Sequence, residues 1–139
     1  LSFDKCGIKA FFLKLFNRYV TFVLSCVYRS SSSSTDDDKI LVDFIMNVSN
    51  TYEKSFIFGD FNMSDISWPL NTSQSHNAFF QLLVELLINS HLNQLVLKAT
   101  RYTPNQTHSP FDLIISSDDN SLVNLVYLTP IGKSDHVTL

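Results

Sequence analysis

The hydrophobic spacing of the chain switches between a strand-like and a helix-like period, and that alternation restricts the fold more than any other feature. Tyr19 to Tyr28 (YVTFVLSCVY) is rich in β-branched and aromatic residues and reads as a strand. Gly7 to Leu15 alternates loosely, with Ile8, Ala10 and Phe12 on one side and Phe11 and Leu13 opposite. With Phe16-Asn17-Arg18 as a turn, the two runs make a hairpin; an amphipathic helix over residues 8–19 is the competing reading. Ser30 to Ser34 reads as a flexible surface loop. Thr35-Asp36-Asp37-Asp38 then looks like a helix start, with Thr35 as the cap and acidic residues suited to the helix dipole. Ile40, Leu41, Phe44, Ile45 and Val48 follow at helical spacing, with Asp38, Lys39, Asp43 and Asn47 on the polar face. Ser55 to Phe58 is a short apolar strand ended by Gly59, and Asn77 to Asn89 is a helix so apolar that it should be deeply packed.

Between these last two elements, Met63 to Ser75 is polar and turn-rich. The last third is dominated by short β runs: Leu95 to Leu97, Phe111 to Ile115, Leu122 to Leu128, and a strand beginning at Val137. Thr103 to Pro110 is a loop and Gly132-Lys133-Ser134 a turn. Such mixing of elements predicts an α/β sandwich, and no internal repeat or boundary divides residues 1–139 into more than one domain.

Composition narrows the function. At 139 residues, 45% hydrophobic and 17% charged, the chain builds one core and is far from a disordered composition. A net charge of −3 argues against a basic protein that coats nucleic acid, but not against a nuclease, whose cleavage site needs carboxylates to hold a cation. Two cysteines, Cys6 and Cys26, are too few for a disulfide scaffold and read as idle thiols, Cys26 as a small core residue. Lys14 and Arg18 interrupt the apolar N-terminal region, so no stretch approaches the roughly 18 apolar residues of a membrane span. No secretory cleavage signal is found there either.

Three segments hold residues suited to chemistry. In Gly59-Asp60-Phe61-Asn62 the glycine permits a sharp turn, and Asp60 and Asn62, two apart, share a side if the extended conformation persists. A carboxylate there activates a water and an amide donates to a phosphoryl oxygen, although Asx residues after strands are commonly turn formers. Ser134-Asp135-His136 sets a carboxylate beside an imidazole. Asp112, embedded in an apolar strand, is costly there unless paired, and His136 is its candidate partner; the plain alternative is an edge strand with Asp112 in water.

Together the order strand–GDFN, FDLI, SDH resembles the endonuclease/exonuclease/phosphatase family, also called DNase I-like. GDFNMSDISW (Gly59 to Trp68) looks like the endonuclease domains of non-LTR, LINE-type retrotransposons. Cys26 to Arg29 (CVYR) resembles their tyrosine-bearing strand end, and Ala99-Thr100-Arg101 their threonine–arginine segment. The resemblance implies a four-layer α/β sandwich, here partial, with its N-terminal part upstream of Leu1. It implies that Asp60 activates water, Asn62 helps bind phosphate, Asp112 orients His136, His136 contacts the scissile phosphate, Tyr28 donates to it, and Asp135 helps hold Mg²⁺ or Mn²⁺. The substrate it implies is DNA, with no membrane partner, a reverse transcriptase downstream, and a nuclear location for an active element. The family's early asparagine and metal-binding glutamate have no counterpart: Glu53 and Glu85 lie in other segments and Asp4 lacks the context. Arg29 is followed by Ser30, where relatives often have proline. The other readings are a catalytically silent remnant and a lipid or inositol phosphate phosphodiesterase of the same fold.

Overall fold

In the computed structural model the described residues are 2–5, 7–16, 21–63, 77–102, 110–118 and 124–139. They form β1 (Ser2–Lys5), β2 (Ile8–Phe16), β3 (Thr21–Arg29), α1 (Thr35–Thr51), β4 (Lys54–Asp60), α2 (Ala78–Asn89), β5 (Asn93–Gln94) and β6 (Asp112–Ser116). The six strands lie in one sheet in the order β1-β2-β3-β4-β6-β5. β2 and β3 pair antiparallel from Ile8↔Arg29 to Phe16↔Thr21, so the expected hairpin forms and the helical alternative does not. β3 and β4 are parallel, which requires a crossover, and α1 supplies it.

The register sorts side chains onto two faces. Ile8, Ala10, Val23, Val27, Ile57, Leu113 and Ile115 lie on one face, packed under Leu41, Ile45 and Val48 of α1 and Phe79, Phe80, Leu83 and Leu87 of α2. The other face carries Phe11, Leu13, Leu15, Leu24, Cys26, Tyr28, Phe58, Asp60 and Asp112. Five of these, Phe11, Leu13, Leu15, Tyr28 and Phe58, are large exposed hydrophobics. Among the described residues there is one sheet with helices on a single face, part of the expected four-layer sandwich. Cys26 is a free thiol on the open face, not a core residue, because β3 alternates and Val27, not Cys26, points at the helices.

Several local expectations shift. Ser34, not Thr35, caps α1: its hydroxyl accepts from the Asp37 N–H while the Asp37 carboxylate reaches back to the Ser34 N–H, a capping box. The serine run is therefore a bonded turn and cap, with Ser30 N–H also donating to the Gly7 carbonyl at 2.6 Å. Asp38 is buried instead of lying on the polar face, because Arg29 reaches it. α2 is capped by Asn77, whose Oδ1 accepts from the Phe79 and Phe80 N–H groups, and its Ile88 stays exposed. The expected strand at 95–97 sits two residues earlier, as β5. Residues 124–128 and 137–139 form no strand, only the isolated bridge Leu128↔Thr138. The expected turn-rich stretch from Ser64 onward, Cys6, the loop 103–109 and residues 122–123 lie outside the described residues. No described helix is long and apolar enough to cross a membrane.

Candidate active site

The strand register gathers residues far apart in sequence. Tyr28 at the end of β3 pairs with Asp60 at the end of β4, and Asp60 pairs with Asp112 at the start of β6. All three therefore sit at one end of the sheet on its open face. Gly59 makes this possible in a way the sequence did not suggest. It lies inside β4, not at a turn, at φ +147, and a Cβ there would stand 1.8 Å from the Val27 carbonyl oxygen. The glycine is demanded by close approach of the neighbouring backbone.

His136 arrives from the C-terminal segment, whose path is set by the Thr100–Arg101 stretch. Arg101 and His136 form an antiparallel bridge, the Tyr102 N–H donates to the Asp135 carbonyl at 2.9 Å, and the Val137 N–H to the Thr100 carbonyl at 2.8 Å. Thr100 is fully buried, and its hydroxyl accepts from the Asp112 N–H at 2.9 Å, tying the same stretch to β6. The result is a 2.8 Å contact between His136 Nδ1 and Asp112 Oδ2. An ionised carboxylate only accepts, so Nδ1 carries a proton and donates it, and Nε2 is left to face a reactant. The Phe111 ring meets the imidazole edge-on at 6.2 Å.

Asp60 is half-buried, and this burial is the main cause of a raised pKa. The Asn62 N–H, donating to Asp60 Oδ1 at 2.9 Å, opposes the rise; the neighbouring Asp112 carboxylate adds to it, and His136 and Arg101 draw it down. A carboxylate whose proton affinity is lifted toward neutrality is a better base than a free one.

Asn62 does not continue the strand. Its N–H bonds back to Asp60, the chain bends, and Asn62 adopts a left-handed φ of 48. The shared side expected from extended spacing is thereby lost. One amide hydrogen of Asn62 Nδ2 goes to the Arg29 carbonyl at 2.6 Å, leaving the other for any phosphate contact. Asp135 is held by Arg101 Nε at 2.7 Å, and this bond is the first cause of its lowered pKa. Among the described residues no three His, Cys, Asp or Glu side chains are grouped around one point. Mg²⁺ keeps several of its waters and needs only one or two protein carboxylates, and Asp60, Asp112 and Asp135 are the described carboxylates at this end of the sheet.

Arg29, Asp38, Thr100 and Arg101 were not among the expected site residues. The one available signal was the placement of Arg29 directly after an apolar strand and of Thr100–Arg101 ahead of FDLI.

The family model described as endonuclease-reverse transcriptase matches residues 22–139. Five solved chains also match the fold. One is the endonuclease domain of TRAS1, a telomere-specific non-LTR retrotransposon, with a TM-score of 0.71 and 16% identity over 92% of this chain. The chain spans 58% of that domain's length. No curated protein matches.

Proposed function

Since this chain belongs to the endonuclease-reverse transcriptase family, we propose that its strand-end cluster hydrolyses phosphodiester bonds of DNA, nicking a target where a retrotransposon inserts. The observation that carries the reading is the Asp112–His136 contact at 2.8 Å, formed at the register position opposite Asp60. A base, an oriented imidazole and a phenol at one sheet end are what in-line attack on a phosphate needs.

In this reading Asp60 takes the proton of the attacking water, its raised pKa making it a stronger acceptor. His136, aimed by Asp112 through Nδ1–H, acts as an imidazolium whose Nε2–H donates to a non-bridging oxygen and supports the charge that develops there. Tyr28, 47% exposed and in register with Asp60, donates to the same phosphate. The free hydrogen of Asn62 Nδ2 lies one residue beyond the Asp60–Phe61 bend and serves as a further donor.

A need for Mg²⁺ or Mn²⁺ belongs to the proposal. Asp135 and the neighbouring carboxylates are oxygen donors of the kind these hard cations prefer. When bound, such an ion would supply Lewis-acid relief of charge on the leaving oxygen, with waters filling the rest of its shell. A reverse transcriptase carried by the same element is the proposed partner.

Conversion of supercoiled plasmid to nicked circles tests the reading. Nicking with Mg²⁺ that disappears with EDTA and with Asp60→Ala is the expected result. Nicking that persists in Asp60→Ala, or hydrolysis of inositol phosphates with the plasmid untouched, would overturn it.

A further inference from the structure

We propose that Arg29, clamped by Asp38, is a positioning residue that fixes the Phe61–Asn62 bend and so the placement of Asp60 and Asn62; this rests on the phosphodiesterase reading above. Arg29 ends β3 one residue after Tyr28, so its side chain lies on the helical face, behind the sheet from Tyr28, Asp60 and Asp112. At 5% exposure it does not reach a substrate on the open face.

Its contacts are specific. Nε donates to Asp38 Oδ1 at 2.6 Å and Nη2 to Oδ2 at 2.9 Å, a bidentate pair that ties the end of β3 to the first turn of α1. Nη1 donates to the Phe61 carbonyl at 3.3 Å. The guanidinium lies 4.2 Å over the Phe79 ring of α2, and Phe79 in turn stacks on Phe61. The main-chain carbonyl of Arg29 accepts from Asn62 Nδ2. One residue thus grips the bend twice, by its side chain at the Phe61 carbonyl and by its backbone at the Asn62 amide.

The bend needs such a grip. Asn62 holds a left-handed φ, a conformation asparagine adopts more readily than other residues with a side chain, and the contacts of Arg29 fix it there. The same residue's N–H bonds the Asp60 carboxylate. Loosening the Phe61 carbonyl or the Asn62 amide therefore releases the hydrogen bond that aims Asp60. A buried ion pair gives little net stability over apolar residues of similar volume. What the planar guanidinium fork gives is direction, which a lysine, with one nitrogen, does not reproduce.

The test compares Arg29→Lys and Asp38→Asn with Leu41→Ala, a fully buried core position on α1. Amide NMR and plasmid-nicking kinetics are recorded below the melting temperature of each variant. In Arg29→Lys the backbone and side-chain amide signals of Asn62 should move toward random-coil positions, and kcat should fall about tenfold or more with KM little changed. Asp38→Asn, which keeps the size of the side chain, should shift the same signals by less. Leu41→Ala should lower Tm yet leave the Asn62 signals and kcat as they are. Unmoved Asn62 signals in both Arg29→Lys and Asp38→Asn, or a wild-type kcat in folded Arg29→Lys, would overturn the proposal. The NMR arm needs no activity, so its failure is separate from a failure of the phosphodiesterase reading, which Asp60→Ala decides.

Discussion

Asp60 is where the chemistry and the stability of the chain oppose each other. Its burial raises its pKa, so between the ordinary aspartate range and the raised value the folded state holds more protons than the unfolded state. Stability then falls as pH rises through that window, because the ionised, desolvated carboxylate is carried only by the fold. Asp60→Asn keeps an acceptor for the Asn62 N–H and removes the charge. It should raise the melting temperature at neutral pH, measured by calorimetry without divalent cation, while abolishing nicking. Asp112→Asn makes the complementary case. It presents an amide where Nδ1–H of His136 needs a carboxylate, so kcat should fall on the order of a hundredfold, with far less effect on Tm than on rate. A large loss of Tm with near-normal cleavage would assign Asp112 to the fold alone. These acids, with Asn62, His136 and Tyr28, could be named as candidates from the sequence because strand-then-GDFN, FDLI, SDH and CVYR are local patterns, and the strand register sets Tyr28, Asp60 and Asp112 at one sheet end. Asp38 was not: in a run of three aspartates nothing local marks which one turns inward, and only the arrival of Arg29 from β3 decides it.

At the level of elements, the site depends on β3 and β4 meeting closely enough to set Tyr28 opposite Asp60. Gly59 is the tightest point of that meeting. Gly59→Ala would drive a methyl group into the Val27 carbonyl and should cost about 3 kcal/mol or more, visible as a large drop in the urea midpoint. The crossover helix α1 is a second dependency, because its capping box anchors the first turn from which Asp38 reaches Arg29. Ser34→Ala should lower stability by about 1 kcal/mol, whereas Thr35→Ala, outside the box, should change it little. The hairpin, both helices and the short apolar strands were readable from hydrophobic period. The β5 position and the bridges that replace strands near residues 124–139 were not. β5 pairs with β6 over only two residues, and its neighbours are held by side-chain and single backbone bonds, such as the Gln94 amide donating to the Val96 carbonyl and the Leu97 N–H donating to the Tyr127 hydroxyl, which leave no periodic trace.

For the whole molecule, the open sheet face matters as much as the packed one. Phe11, Leu13, Leu15 and Phe58 stand exposed on the face that also carries the site, and the chain spans 58% of the length of the TRAS1 endonuclease domain it resembles in fold. The candidate site is itself a property of the entire chain, since Asp60, Asp112 and His136 come from three separate segments joined through Thr100 and Arg101. Residues that act as one unit lose function together, not independently. The most direct test is a double-mutant cycle on plasmid-nicking rate with Asp112→Ala, His136→Ala and the pair. The expected result is that either single change costs nearly as much as both. Losses that multiply, or nicking that survives without His136, would contradict a shared catalytic site.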